Sequence, residues 1–304
     1  MDYIILTFAV LCFATQFAFN KAYEGCIKQT TITAFVLPAV IGIVGSLQYI
    51  IISGFSIELT TPSILLAIAM AAAFIPCYVI GIKVLSLGSL AIYSMFMMLG
   101  GMLVPFFYGI LLLNEEVSLP RAVGSILLTA FIILQAQIQN SAMAQNNKAS
   151  KKDRIVFLIL CIAIFFLNGM TGVIAKMHEM QSNPISEANY TFLYSVFSAV
   201  ISLALLALAL ISKNRGQKIK EIRTTLAPKP MLFMVGLGVM TNTGNFLLLK
   251  AAANLPASVQ FPFTSGGVIL LSALYSALIF REQISKKEWI TVLGASLATI
   301  LFLF

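Results

Sequence analysis

Ten runs of apolar residues divide the chain, at about residues 2–22, 31–53, 62–84, 89–113, 119–139, 154–176, 187–211, 230–250, 257–280 and 286–304. A helix rises 1.5 Å per residue, so roughly 20 apolar residues cross a hydrocarbon core about 30 Å thick. Every run is long enough to predict a spanning helix. Turn and helix-start signals punctuate them: Ser53-Gly54, Thr61-Pro62, Leu87-Gly88-Ser89, Leu119-Pro120, Asn183-Pro184 and Leu255-Pro256. Tyr3, Tyr23, Tyr190 and Trp289 fall near run ends, where amphipathic rings suit the headgroup level. Two links are long and polar, 140–153 and 212–229, and the first leaves five runs on each side.

The halves can be laid over each other. Lys21-Ala22-Tyr23-Glu24 falls on Lys176-Met177-His178-Glu179 at an offset of 155, and Glu115-Glu116-Val117-Ser118 on Glu282-Gln283-Ile284-Ser285 at an offset of 167. Between these anchors, Leu99-Gly100-Gly101-Met102-Leu103 matches Ser265-Gly266-Gly267-Val268-Ile269 within one residue of the second register. Five spans is an odd number, so a duplicated half enters the membrane from the opposite side. The predicted fold is an all-α membrane protein of ten transmembrane helices in two inverted five-helix repeats, a construction that recurs among secondary transporters. The expected divisions are a first repeat at 1–140, a cytoplasmic linker at 141–153 and a second repeat at 154–304.

Composition excludes a water-soluble globule. The 304 residues are 60% apolar and only 10% charged, against roughly 45–50% and 25% in soluble domains, and the mean hydropathy is +0.97. The net charge of +8 points to the membrane surface rather than to nucleic acid, because the basic residues sit in short links and not on one folded face. Of the 19 Lys and Arg, 16 fall in odd-numbered links, leaving Arg121, Lys176 and Lys250 in even ones. By the positive-inside rule the odd links face the cytoplasm, held near anionic lipid, and both termini lie outside. The start Met1-Asp2, with Lys21 only after the first run, reads as an uncleaved first helix and not a signal peptide. Cys12, Cys26, Cys77 and Cys161 show no metal or redox spacing, and the single histidine, His178, has no partner for a metal site, so no cofactor is expected.

The run from Gly100 to Arg121, with Pro105, Gly109, Asn114-Glu115-Glu116 and Ser118, resembles the end of the fourth span in the ten-span drug/metabolite transporter superfamily with EamA-type repeats. Leu255-Pro256-Ala257-Ser258, Gly266-Gly267, Arg281-Glu282, Ser285 and Trp289 resemble the same stretch of its second repeat. Thr291 departs from the pattern, standing where a Gly is common, whereas Gly124 keeps it in the first half. The resemblance implies a central pathway lined by spans one, three, four, six, eight and nine. It leaves the substrate open among amino acids, sugars, nucleotide-linked metabolites, cations and lipids.

No Asp or Glu falls in the middle of a run. A proton-coupled exporter with a carboxylate midway along its first helix is thereby disfavoured, since Cys12, Thr15 and Gln16 stand at that depth. Neutral polar groups supply the candidate substrate-binding residues. These are Gln16 and Asn20 in the first run, Tyr93 in the fourth, Asn168 and Thr171 in the sixth, Asn242 and Asn245 in the eighth, and Gln260 and Thr264 in the ninth. Amides offer donors and acceptors together, and residues three or four apart share a helix face. Lys250, six residues before Pro256, is the candidate anion partner, whereas Lys83 reads as a snorkelling side chain.

The expected activity is alternating-access transport of a small polar metabolite of the amino acid, sugar or nucleoside class across the cytoplasmic membrane. A flippase for a lipid-linked substrate is the alternative reading. An intramembrane enzyme is third, since no paired aspartates, His/Glu cluster or Ser/His arrangement can be assembled. The expected partners are the substrate and membrane lipids, with no nucleic acid.

Overall fold

Each apolar run forms a helix in the computed structural model, which describes residues 2–114, 116–145, 150–211, 215–252 and 257–304, with side chains except at 142, 144, 145, 249, 252 and 257–262. The helices are α1 (Asp2–Glu24), α2 (Thr31–Ile52), α3 (Thr61–Leu87), α4 (Leu90–Leu113), α5 (Leu119–Gln145), α6 (Lys151–Glu179), α7 (Glu187–Ile211), α8 (Arg215–Thr225), α9 (Pro228–Ala252), α10 (Ala257–Leu278) and α11 (Lys286–Ala298). No strand occurs among the described residues. Among the described residues, eight helices, α1 to α7 and α9, are long and apolar enough to cross a membrane.

Local chemistry sets the helix starts. Thr30, Ser150 and Ser285 form capping boxes with Thr33, Asp153 and Glu288, and Thr60 and Ser89 cap α3 and α4. Each cap satisfies amide donors that the first turn leaves orphaned, typically worth about 1 kcal/mol. Asn114 ends α4 in the left-handed region at φ 53°, and Arg281, in the link after α10, has φ 52°. Both are non-glycine residues in a conformation that L side chains rarely adopt.

The structure differs from the sequence reading in three places. The link expected at 141–153 is shorter, because α5 runs on to Gln145 and α6 begins at Lys151, under the Ser150 cap. The polar link at 212–229 contains α8, a basic helix whose Lys218 ammonium donates to the Ala209 carbonyl at the end of α7 (2.7 Å). The last run is not one helix: α11 is 13 residues long and continues as a 3-10 turn over Thr299–Leu303.

Side-chain exposure follows from lipid being the solvent of the outer faces. Along α6, Ile155, Ile159, Ile162 and Phe166 point outward while Phe157, Cys161 and Ile164 are buried. Both faces are apolar, so exposure costs nothing in hydrocarbon and packing must come from small residues and buried polar groups. α1 packs on α9 and α10, α2 on α7 and α9, α3 on α6 and α7, α4 on α6 and α10, and α5 on α11. The α4 to α6 crossing is close. A methyl group on Gly100 would overlap the Phe165 carbonyl, and one on Gly169 would fall 2.8 Å from the Gly100 carbonyl as well as on Val104. This crossing holds Gly101 and Asn168 side by side at the centre of the molecule. The chain is therefore a multi-pass helical membrane protein.

Candidate functional site

A cavity of about 200 Å³ lies among α1, α3, α4, α6, α9 and α10, the helices formed by the first, third, fourth, sixth, eighth and ninth apolar runs. Phe13, Gln16, Phe17 and Asn20 reach it from α1, and Phe74 and Tyr78 from α3. Tyr93, Met97, Met98 and Gly101 come from α4, and Asn168, Thr171 and Gly172 from α6. Leu237, Thr241, Asn245 and Leu248 belong to α9, and Thr264 and Ser265 to α10. Except for the adjacent Thr264 and Ser265 of α10, the three- or four-residue spacing within each set places one face of each helix on the cavity.

Its polar groups are partly spent on each other. Asn20, 2% exposed, donates through Nδ2 to the Tyr93 hydroxyl at 3.0 Å, while its Oδ1 has no hydrogen-bond partner. The Thr241 hydroxyl bonds the Gln16 Oε1 and lies 2.8 Å from its own helix's Leu237 carbonyl. Asn168 donates from Nδ2 to the Met97 carbonyl at 2.7 Å, and Thr171 donates back to the Asn168 carbonyl at 2.6 Å. Aromatic rings form the walls: Phe17 meets Tyr93 edge-on with centroids 5.4 Å apart, and Phe74 lies nearly parallel to Tyr78 at 6.1 Å. The site offers flat apolar surfaces, amides and hydroxyls in one enclosure, which suits reversible binding of a polar organic molecule.

Of the candidate residues, Gln16, Asn20, Tyr93, Asn168, Thr171, Asn245 and Thr264 line this cavity. Asn242 does not. Its Nδ2 donates to Gln48 Oε1 at 3.0 Å, and its carbonyl accepts from the Tyr49 hydroxyl at 3.1 Å, so it joins α9 to α2. Three residues advance a helix by 300°, leaving Asn242 and Asn245 about 60° apart, enough to put them on different neighbours. Lys250 also lies elsewhere: it is exposed, near the end of α9. Five residues from Asn245 is roughly 140° around the helix, away from the cavity face. The Gln260 side chain lies outside the described residues, as do Glu115 and Leu255-Pro256. The aromatic and methionine walls, Phe13, Phe17, Phe74, Tyr78, Met97 and Met98, were not legible, because in an apolar run a lipid-facing and a cavity-facing ring look alike.

A second polar feature lies next to the cavity. The Lys21 ammonium, one residue beyond Asn20, sits 3.1 Å from the Glu282 carboxylate and 3.8 Å from that of Glu24. It also donates to the Leu85 carbonyl at 2.7 Å. Glu282 in turn accepts from the Leu90 amide at 2.9 Å, in the first turn of α4, and from the Ser276 hydroxyl. This clasp ties the end of α1, the α3 to α4 link and the link after α10 together on one face. Neither residue is a mid-run charge, so the sequence shows each only as part of a repeat anchor.

No protein-family model matches the chain, and no curated protein matches its sequence. Among solved structures, one described only as "Crystal structure of protein" is similar with a TM-score of 0.53 at 13% identity, covering 99% of this chain and 97% of that one. At that identity the likeness concerns the fold alone, and it extends over the whole length of both chains.

Proposed function

We propose that this protein is a secondary transporter of the drug/metabolite transporter type, with ten spans in two inverted five-helix repeats. It moves a small polar metabolite by alternating access through the central cavity. The observation that carries this reading is the internal symmetry of the cavity wall. Phe13, Gln16 and Phe17 stand 155 positions before Asn168, Thr171 and Gly172. Phe74 and Tyr78 stand 167 before Thr241 and Asn245, and Met97 and Met98 stand 167 before Thr264 and Ser265. These are the two offsets at which the sequence halves match. Two repeats related by a two-fold axis in the membrane plane can each take up the other's conformation, which opens a site between them to one side and then to the other, the physical basis of alternating access in inverted repeats.

Other pairs support the duplication. Asn114 and Arg281, 167 apart, share the left-handed conformation. Gly124 packs against Phe302, and Thr291 bonds Gln135; the offset of 167 carries each contact into the other. The departure at Thr291 thus substitutes a buried hydroxyl bond for a small-residue contact. The helix pairs also exchange: α1 on α9 becomes α6 on α3, and α4 on α6 becomes α10 on α1. With the odd links inside, the Lys21 and Glu282 clasp lies on the cytoplasmic face of the cytoplasmic membrane and holds the pathway shut there, so that its release and reformation accompany each cycle.

Reconstitution tests the proposal. Liposomes containing the purified protein and loaded with a mixture of small polar metabolites are expected to release a subset of them faster than protein-free liposomes. Mass spectrometry of the external medium identifies that subset. Thr171→Val combined with Asn168→Leu, which removes polar groups from the wall, is expected to slow this release at least tenfold. Equal release from protein-containing and protein-free liposomes contradicts transport.

A further inference from the structure

The transporter reading leaves the ligand's charge and shape open, and the cavity wall speaks to both. Building on that reading, we infer that the cavity takes an uncharged polar molecule bearing N–H or O–H donors and a flat face, the chemistry shared by nucleosides and hexoses. It rejects zwitterions and carboxylate or phosphate anions.

Charge is the first ground. No Asp, Glu, Lys, Arg or His is among the described residues lining the cavity, and the sequence from 251 to 280 contains none of them. An ion drawn from water into such an enclosure loses its hydration without gaining a counter-charge, a cost of several kcal/mol in membrane interiors. A zwitterion pays this for both of its ends. A helix N-terminus is the usual neutral means of holding an anion, but the start of α4 is already occupied. Its Leu90 amide bonds the Glu282 carboxylate, and its Ile92 amide bonds the Ser89 hydroxyl. Glu282 is itself paired with the Lys21 ammonium at 3.1 Å, so that cation's charge is already matched by a carboxylate of the chain. Lys250, the candidate anion partner, is exposed and outside the wall.

Hydrogen-bonding capacity is the second ground. Asn20 and Asn168 each give one amide N–H to Tyr93 and Met97, whereas the Asn20 Oδ1 is an acceptor without a donor. A buried unpaired acceptor is costly, and a ligand N–H or O–H reaching it removes that cost. The third ground is shape. Rings on α1, α3 and α4 present flat walls, and such walls accept a heteroaromatic base or the C–H face of a pyranose by stacking.

Matched congeners test this directly. Thermal unfolding of the purified full chain is followed with adenosine and adenosine 5′-monophosphate, glucose and glucose 6-phosphate, and leucine. At least one neutral probe is expected to raise Tm, with its phosphate ester binding at least tenfold more weakly and leucine having no effect. Whether adenosine or glucose stabilises decides between base and sugar. Asn20→Leu is expected to weaken the binding about tenfold, and Thr171→Val provides an independent wall variant should Asn20→Leu fold poorly. Binding of a phosphate ester or leucine as tight as that of the neutral probes, and lost in these variants, overturns the charge rule while leaving the transporter reading intact. No stabilisation by any probe, or stabilisation that neither variant alters, overturns the inference about the ligand, whereas the transporter reading stands or falls on the liposome release.

Discussion

At the residue scale, the polar candidates are legible because an amide or hydroxyl inside an apolar run is costly enough to need a reason. Gln16, Asn20, Asn168, Thr171 and Asn245 stood out on that ground, and all five face the cavity. Asn242 had the same signature for a different reason: it fastens two helices through Gln48 and Tyr49. Hydrogen bonding between helices and hydrogen bonding to a ligand leave the same mark in a sequence, and only the direction of the side chain separates them. The Gly100-Gly101 pair, which the sequence shows only as part of a repeat match, divides between two roles. Gly101 does line the cavity, but Gly100 abuts the backbone of Phe165. Since that carbonyl belongs to a rigid helix and cannot rotate away, Gly100→Ala is expected to lower stability by roughly 1–3 kcal/mol through overpacking. Gly216→Ala, where an added methyl meets nothing within 4 Å, is expected to change stability by less than about 0.5 kcal/mol. Thermal unfolding of the two variants in the same detergent checks the pair, and equal stabilities contradict the close crossing.

At the element scale, runs and caps were read directly, while the joins between elements were not. Helices such as α2 and α4 begin where a Thr or Ser precedes the apolar run and end where apolarity stops. The 3-10 ending after α11 and the helix inside the 212–229 link have no such mark. A basic polar segment reads as a link whether or not it coils, because its charged side chains remain solvated in either state. The clasp was equally hidden, since Lys21 and Glu282 are 261 positions apart and lie near run ends where charges are unremarkable. Its energetic role is to join three elements through two charged groups that are mostly shielded from solvent. Lys21→Gln and Glu282→Gln are expected to be non-additive, with a coupling of about 0.5–3 kcal/mol in a double-mutant cycle. Glu282→Ala is expected to speed hydrogen exchange at the Leu90 amide, which loses its acceptor. Additive stabilities together with unchanged exchange contradict the clasp.

At the scale of the whole molecule, the sequence carries the membrane class through composition, and it supports the proposed duplication through a few anchors. It could not carry the packing, because in lipid the outward and inward faces of a helix differ little in polarity; along α1, exposed Phe8 and buried Phe13 are the same residue type. The cavity-lining positions at the same two offsets add support to the proposed symmetry, and from that proposal comes the central claim, a site reached in turn from both sides. The direct test uses a single cysteine in the cavity, Thr171→Cys, in a chain whose Cys12, Cys26, Cys77 and Cys161 are replaced by Ala. Gln217→Cys in the same background marks orientation in sealed vesicles, since its link is expected on the cytoplasmic face. Impermeant thiol reagents are added to oriented vesicles from one side and then, in a separate sample, from the other. The account predicts that Thr171→Cys is modified from both sides while Gln217→Cys is modified from one only; a cavity cysteine reached from a single side, or from neither, contradicts alternating access.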